Sequence, residues 1–365
     1  LTTSSAASDV YKRQVIIYSL ILSSCSTVAL EEKNVIDLNS LDENRKFELY
    51  LSDDWEKYLT NNPLFATYTG DKRLNNKINP NTIDHFIKEL ESDKNSLDGL
   101  YKIDFFKLDD ENKLNYKLKE FSLNESINSK KFPIYYLRLN QRGGIQSFYE
   151  TGNRLVYSSS QDYFDWLERL EEFSNHINIS LKINKEGLSK GITQPKMITK
   201  GVIEQIDAII NSDIDANPYM KVFLEADESI LTKSEKVTLI NDAKDLIKNK
   251  INPAYIELNK FLKNDYIVNS RDSIGIKDVP GGSEYYEDLA KHFTTTNLTP
   301  DEIHEIGLTE IKRIRSEMEA IIELVDWDGD FSSFLNYLRT SPRFYYDNGE
   351  DLLDAYLIMS KTIDP

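Results

Sequence analysis

Apolar residues recur every three or four positions over most of the chain, and this spacing places them on one face of an α-helix. The stretches RKFELYLSDDWEKYL (residues 45–59) and DYFDWLERLEEFSNHINISLKINKEGL (residues 162–188) both follow the pattern. Residues 234–267 follow it too but contain Pro253, where we expect a kink or a break because proline cannot donate a backbone hydrogen bond. The chain is therefore expected to fold mainly as α-helices.

Two short segments carry β-strand signals, Phe132–Leu139 and Arg154–Ser158. Glycine-containing turns are indicated at Gln141–Gly144 and at Lys277–Tyr286, and no repeat of fixed period is present. The sequence thus predicts a mainly α, multi-helix assembly with a minor β element.

The composition indicates a folded domain and disfavours one class of partner. The chain has 365 residues, of which 40% are hydrophobic and 29% are charged, so a sizeable core is expected. The formal net charge is −17, with acidic and basic residues interspersed. Nucleic acid is not expected as a partner, because its recognition needs a basic face.

The first 45 residues divide into three segments of different character. Residues 1–14 are expected to be a non-native artefact of sequence assembly. Residues 15–25 contain an apolar run, Val15–Leu22, and resemble the signal segment of a bacterial lipoprotein, whereas residues 26–45 are polar and aperiodic, as a tether would be. Residues 46–365 are expected to form an incomplete helical domain.

Cys25 is the predicted site of lipid attachment. It is the only cysteine of the chain and it follows small residues, as the acylated cysteine of a lipoprotein does. A lipid anchor would make the membrane a partner and would place the protein in the cell envelope, on its periplasmic or extracytoplasmic side. The alternative is a plain signal peptide in which Cys25 is incidental.

The stretch TPDEIHEIGL (residues 299–308) looks at first like the start of a zinc-peptidase helix. Thr299 is a predicted N-cap, Pro300 fits the first helical position, and Glu302 can complete a capping box. An HExxH zinc helix needs a second histidine four residues after the first, but Leu308 stands four residues after His304. We therefore expect His304 to be a surface or packing histidine. A site that combines it with His292 from another segment stays the less favoured alternative.

Several segments, in order, resemble the bacterial domain of unknown function 885 family, from about Trp55 to the end of the chain. They include NPLFATYTGDKRLNNKI (62–78), LNQRGGIQ (139–146), GLSKGITQPKMITKGVIEQI (187–206), the long block 279–321 and LRTSPRFYY (338–346). The resemblance implies a mainly helical, often lipid-anchored protein related to gluzincin-like zinc metallopeptidases. It further implies that the peptide substrates are short or unfolded.

In that family the metal motif lies well downstream of the block around residues 294–308, and nothing in this chain matches it. The resemblance therefore implies that the chain is the N-terminal part of a larger metallopeptidase-like fold, without catalytic or metal residues of its own. Zinc is expected as the cofactor of the full-length protein only. The alternative function is that of a non-catalytic helical binding or scaffold lipoprotein.

Two pairs of glycines are the candidate contacts to a peptide within this part of the family. Gly143 with Gly144, and Gly281 with Gly282, could bring the backbone close to a substrate in a cleft. The competing and favoured interpretation is that these glycines only allow tight turns.

Overall fold

The computed structural model describes residues 41–364, and within that range the chain is built from α-helices joined by short turns and loops. In chain order the helices are α1 (Glu43–Asn61), α2 (Pro63–Tyr68), α3 (Ile83–Leu100), α4 (Asp110–Ser129), α5 (Tyr149–Arg154), α6 (Ser160–Ser189), α7 (Lys196–Ile210), α8 (Lys221–Leu224), α9 (Lys233–Leu246), α10 (Asn252–Phe261), α11 (Ile267–Asn269), α12 (Gly282–Thr294), α13 (Pro300–Leu324), α14 (Phe331–Thr340) and α15 (Gly349–Ile363). The mainly α, multi-helix prediction is confirmed. Helix α1 begins at Glu43, slightly before the predicted domain start at residue 46.

The main core is formed around the long central helix α6. Helix α10 packs against both α6 and α7, and α9 also packs against α6. The three- and four-residue spacing of Leu170, Phe173 and Ile177 puts all three on the buried face of α6, where they join Tyr255 and Leu258 of α10. A smaller core holds α1, α3 and α4 together.

The predicted β element is absent from residues 41–364, whose single bridge joins Pro195 to Arg271. The segment Phe132–Leu139 forms a 3₁₀ turn at Ile134–Leu137 instead of a strand. Tyr136 and Leu139, three residues apart, are its buried side chains, so burial follows a helical and not an alternating period. Arg154–Ser158 ends α5 and continues as an extended loop without a strand partner.

The helix that contains Pro253 does not break there. A single π-helical turn, Ile247–Ile251, precedes the proline, and the N–H group of Asn252 donates to the carbonyl group of Ile247. A wider turn of this kind accommodates a residue that cannot make the usual backbone bond. The chain therefore continues directly from α9 into α10.

The predicted start of the helix at residues 299–308 is confirmed. The hydroxyl group of Thr299 accepts a hydrogen bond from the N–H group of Glu302, and the Glu302 carboxylate accepts one from the N–H group of Thr299. Pro300 occupies the first helical position of α13. This reciprocal pair satisfies backbone donors that a helix start otherwise leaves free.

Helices α13 to α15 add little to the core. Between residues 283 and 364, Ile322 is the one buried residue. Ile311 and Ile321 of α13, and Tyr356 and Met359 of α15, are all at least half exposed. An apolar face of this extent is typical of an interaction surface.

The loop between α2 and α3 is held against α6 by two buried charged residues. Arg169 is 1% exposed and donates hydrogen bonds to Thr67 Oγ1 at 2.9 Å and to the carbonyl groups of Leu74 at 3.0 Å and Lys77 at 2.6 Å. These bonds compensate the desolvation of the guanidinium, and they fix the position of the loop.

The carboxylate of Asp162 lies at one end of the same network. It accepts hydrogen bonds from Lys72 Nζ at 2.7 Å and from the N–H groups of Ser158 and Ser159 at 2.8 and 3.0 Å. Burial opposes ionisation of this carboxyl, but these hydrogen bonds outweigh burial and hold its pKa at about 2. Asp162 is therefore a charged anchor at neutral pH.

Replacing Arg169 with methionine should destabilise the fold by roughly 3 kcal/mol or more, because three part-buried acceptors lose their charged donor. The matched control is Arg154→Met, which breaks an exposed ion pair to Glu150 and should cost less than about 1 kcal/mol. Urea unfolding followed by circular dichroism measures both variants. Equal losses in the two variants would contradict the anchoring role of Arg169.

Candidate functional site

A cleft of about 500 Å³ lies between the start of α3, the middle of α6 and the loop that carries Gly143 and Gly144. The loop fixed by Arg169 supplies another wall, through Ile78 and Asn81. The cleft is lined by both apolar and polar groups, as ligand-binding clefts usually are.

Two histidines line this cleft. His85 Nε2 on α3 lies 3.5 Å from Glu89 Oε1, one helical turn further along. His176 on α6 has a pKa lowered to about 4, mainly by burial and also by the charge of Arg138, while Glu172 acts in the opposite direction. His176 is therefore neutral at pH 7 and offers the cleft an uncharged ring.

Arg138 is the permanently charged cation of the cleft wall. Its guanidinium lies 4.1 Å from the ring centre of Phe86, and the Phe86 ring is also stacked on the ring of Tyr135, with the two ring centres 5.5 Å apart. Among residues 41–364, no acceptor lies within hydrogen-bond distance of the guanidinium and no carboxylate within ion-pair distance. Arg138 is exposed, so its N–H donors face solvent and are accessible to a ligand.

Two carboxamide side chains leave oxygen atoms unpaired at the cleft wall. Asn184, which is 1% exposed, donates through Nδ2 to the carbonyl group of Ser180 at 2.8 Å, but its Oδ1 has no hydrogen-bond partner. Asn81 donates to the carbonyl group of His176 at 3.3 Å, and its Oδ1 is also unpaired. Buried polar atoms are normally paired, so these two oxygens mark a place where a donor group is expected.

The structure places one of the two predicted glycine pairs in the cleft and the other outside it. Gly143 and Gly144 line the cleft. A Cβ atom on Gly144 would lie 2.5 Å from the carbonyl oxygen of Asn140, whereas one on Gly143 would meet nothing within 4 Å. Contact of this backbone with a peptide stays a prediction.

Gly281 and Gly282 lie at the start of α12 and do not line the cleft. Gly281 has φ +73°, in the left-handed region that favours glycine, and a Cβ atom on Gly282 would lie 1.8 Å from the carbonyl oxygen of Ile276. Both glycines are therefore required by the turn itself.

A model of a family of bacterial proteins of unknown function, DUF885, matches residues 63–364. The chain belongs to the DUF885 family. Its fold is similar to a crystal structure from Colwellia psychrerythraea that is described as a candidate lipoprotein, with a TM-score of 0.75 and 20% sequence identity. The match covers 88% of this chain and 59% of that one, so the chain spans less than two thirds of its solved relative. No curated protein matches the chain.

The zinc that the sequence resemblance led us to expect for the full-length protein alone has no cluster of ligands in the part of the chain that the structure describes. There, no three His, Cys, Asp or Glu side chains come together as metal ligands. His304 is exposed on α13, and His292 on α12 pairs with Glu125 of α4.

Several sequence predictions for this DUF885 chain fall on residues outside the described range. They are the artefact at residues 1–14, the signal segment with Cys25, and most of the tether at residues 26–45. Across residues 41–364, no helix combines the length and apolar character that crossing a bilayer requires.

Sequence reasoning missed the side chains that give this DUF885 cleft its chemistry. Arg138 was hidden in a segment predicted as a strand. Asn184 could have been noticed, because it lies on the buried face of α6 beside Ile183 and Gly187. Polar residues are uncommon on such a face. His176 had no such signal, since its neighbours in the cleft come from distant parts of the sequence.

His176 makes the stability of the chain depend on pH. Because its folded pKa of about 4 lies below the value of about 6.5 expected when unfolded, the unfolded chain takes up the proton first. The free energy of unfolding should therefore fall as pH is lowered from about 6.5 to about 4. His176→Gln should reduce this fall in the free energy of unfolding. His304→Gln, which changes an exposed histidine, should leave the fall unchanged. Parallel curves for all three proteins in denaturant titrations would contradict the assignment.

Proposed function

We propose that this chain is the peptide-binding, N-terminal part of a cell-envelope peptidase, and that it holds short or unfolded peptides in the cleft between α3 and α6. The observation that carries the proposal is the set of unpaired polar groups on the cleft wall. Arg138 has N–H donors without a partner among the described residues, and the Oδ1 atoms of Asn81 and Asn184 are buried acceptors without one, in a cleft also lined by the apolar ring of Phe86.

An extended peptide has the complementary chemistry. Its backbone offers N–H groups to the two carboxamide oxygens and C=O groups to the guanidinium, and its side chains can pack on apolar walls such as Phe86 and Phe148. A folded protein could not enter a cleft of about 500 Å³, so the substrates are short or unfolded.

In this proposal, peptide hydrolysis is carried out by a longer protein that contains this chain. The resemblance to zinc metallopeptidases and the greater length of the solved relative support it. Residues 41–364 then bind and orient the peptide, and a zinc site supplied by further chain would carry out the cleavage. We therefore expect the 365-residue chain alone to bind peptides without cleaving them.

A lipid anchor at Cys25 completes the proposal and would hold the protein at the membrane of the cell envelope. The small residues before this cysteine support it, and so does the description of the solved relative as a candidate lipoprotein. Nucleic acid is not a proposed partner, because the net charge is −17.

The second candidate function is a non-catalytic scaffold lipoprotein that captures a partner. The exposed apolar faces of α13 and α15 favour it, because such faces are typical of interaction surfaces. A peptide library offered to a full-length, zinc-loaded family member that contains this chain separates the two functions. Cleavage that a chelator abolishes supports the peptidase, and peptides left intact support the scaffold.

Gly143→Leu should weaken peptide binding about tenfold or more, since a side chain would enter the cleft without disturbing the backbone around it. Gly349→Leu is the matched control, because it adds the same side chain at an equally open position on α15. Fluorescence anisotropy with a labelled peptide library gives the affinities. If both variants bind like the wild type, peptides do not use this cleft.

Cys25→Ser should abolish metabolic labelling of the protein with a clickable palmitate analogue, because serine lacks the thiol that is alkylated by the diacylglyceryl group. Expression in a bacterial host, followed by in-gel fluorescence, provides the measurement. Ser24→Ala, one residue earlier, is the control and should be labelled like the wild type. Persistent labelling of Cys25→Ser would exclude this residue as the anchor.

A further inference from the structure

The free guanidinium of Arg138 suggests which peptides the cleft prefers. We propose that Arg138 is a carboxylate-binding residue and that the cleft selects peptides carrying a carboxylate, either at the C-terminus or on an acidic side chain. This inference rests on the proposed peptide-binding function and names the substrate class of the same site.

The geometry around Arg138 favours a flat anion with two oxygen atoms. The cation–π contact at 4.1 Å with Phe86 restrains the position of the guanidinium, and no described residue accepts its N–H groups. A carboxylate matches that edge with two parallel hydrogen bonds, whereas a carbonyl group offers only one oxygen.

The acidic groups near Arg138 are engaged elsewhere. Glu89 lines the cleft but faces His85, at 3.5 Å. Glu172 on α6 accepts Lys77 Nζ at 2.8 Å and the N–H group of Ile78 at 3.3 Å. Glu89 is close enough to favour the charged form of Arg138, but neither carboxylate is within ion-pair distance of the guanidinium, so its N–H edge is not occupied by a described carboxylate.

The remaining walls fit a peptide around that carboxylate. His176 is uncharged at neutral pH and does not compete for the anion. The Oδ1 atoms of Asn81 and Asn184 are buried and unpaired, and as acceptors they suit an N–H group and disfavour a second anion. The cleft therefore has one place for a carboxylate and separate places for peptide amides.

Three fluorescent peptides test the preference on the full 365-residue chain. They are an Ala-Ala-Phe peptide with a free C-terminal carboxylate, the same peptide as its C-terminal amide, and an Ala-Glu-Phe amide whose carboxylate is on the side chain. The wild type should bind one or both carboxylate peptides at least about tenfold more tightly than the uncharged amide. Whichever carboxylate peptide binds more tightly identifies the source of the anion.

Arg138→Gln should remove the preference, so that all three peptides bind alike. Arg142→Gln removes the same charge from an exposed position outside the cleft and should keep the preference. Thermal unfolding checks that both variants are folded. Equal binding of the three peptides by the wild type, or a preference that persists in Arg138→Gln, would overturn the inference while leaving peptide binding intact.

Benzoate separates the inference from the function on which it rests. Added to ¹⁵N-arginine-labelled protein, it should shift the Arg138 Nε–H signal and leave the Arg142 signal unchanged. A shift with benzoate but no binding of any peptide would retain the carboxylate site and exclude the proposed function. Without a benzoate shift and without a carboxylate preference, Arg138 is not an anion-binding residue.

Discussion

The hydrogen bonds of buried Arg169 are the constraint on which the cleft depends. Its bonds to Leu74 and Lys77 tie the loop between α2 and α3 to the central helix α6, and its bond to Thr67 ties the end of α2 to the same helix. A buried guanidinium that lost these acceptors would be strongly unfavourable, so the loop has little freedom to move away. One wall of the cleft is set in this way by an interaction that lies outside it.

Helix α6 combines a structural and a binding role along its length. Its first turns carry Asp162 and Arg169, its middle carries Phe173 and Ile177 in the main core, and its later turns present Asn184 to the cleft. Because the same rigid helix is packed on several sides, polar atoms on its cleft side are held in fixed positions. Such preorganisation lowers the entropic cost of binding a flexible peptide.

The sequence was informative where the relevant signal is local. Helical periodicity predicted the 162–188 and 45–59 helices, and the capping box at Thr299 and Glu302 predicted where α13 begins, because both signals involve residues within a few positions of one another. The signal around residues 132–139 was misleading, since its aromatic and aliphatic residues suit a strand as well as a buried 3₁₀ turn. Packing of Tyr136 against α6 decides between the two, and packing cannot be read from neighbours in sequence.

The cleft itself could be predicted only in part. Gly143 and Gly144 were candidates because glycine pairs permit close backbone approach, but the same reasoning selected Gly281 and Gly282, which serve only a turn. Arg138 contacts Phe86 and His176 contacts Asn81, residues that are far from them in sequence, so these contacts depend on the tertiary fold.

Photo-crosslinking tests the central claim, that the cleft between α3 and α6 is where peptides bind. A benzophenone-labelled peptide would be irradiated with the 365-residue chain, and the modified residues would be mapped by mass spectrometry with and without excess unlabelled peptide. The account predicts competable crosslinks within residues 78–89, 138–145 and 173–184. Competable crosslinks confined to the apolar faces of α13 and α15 would contradict it.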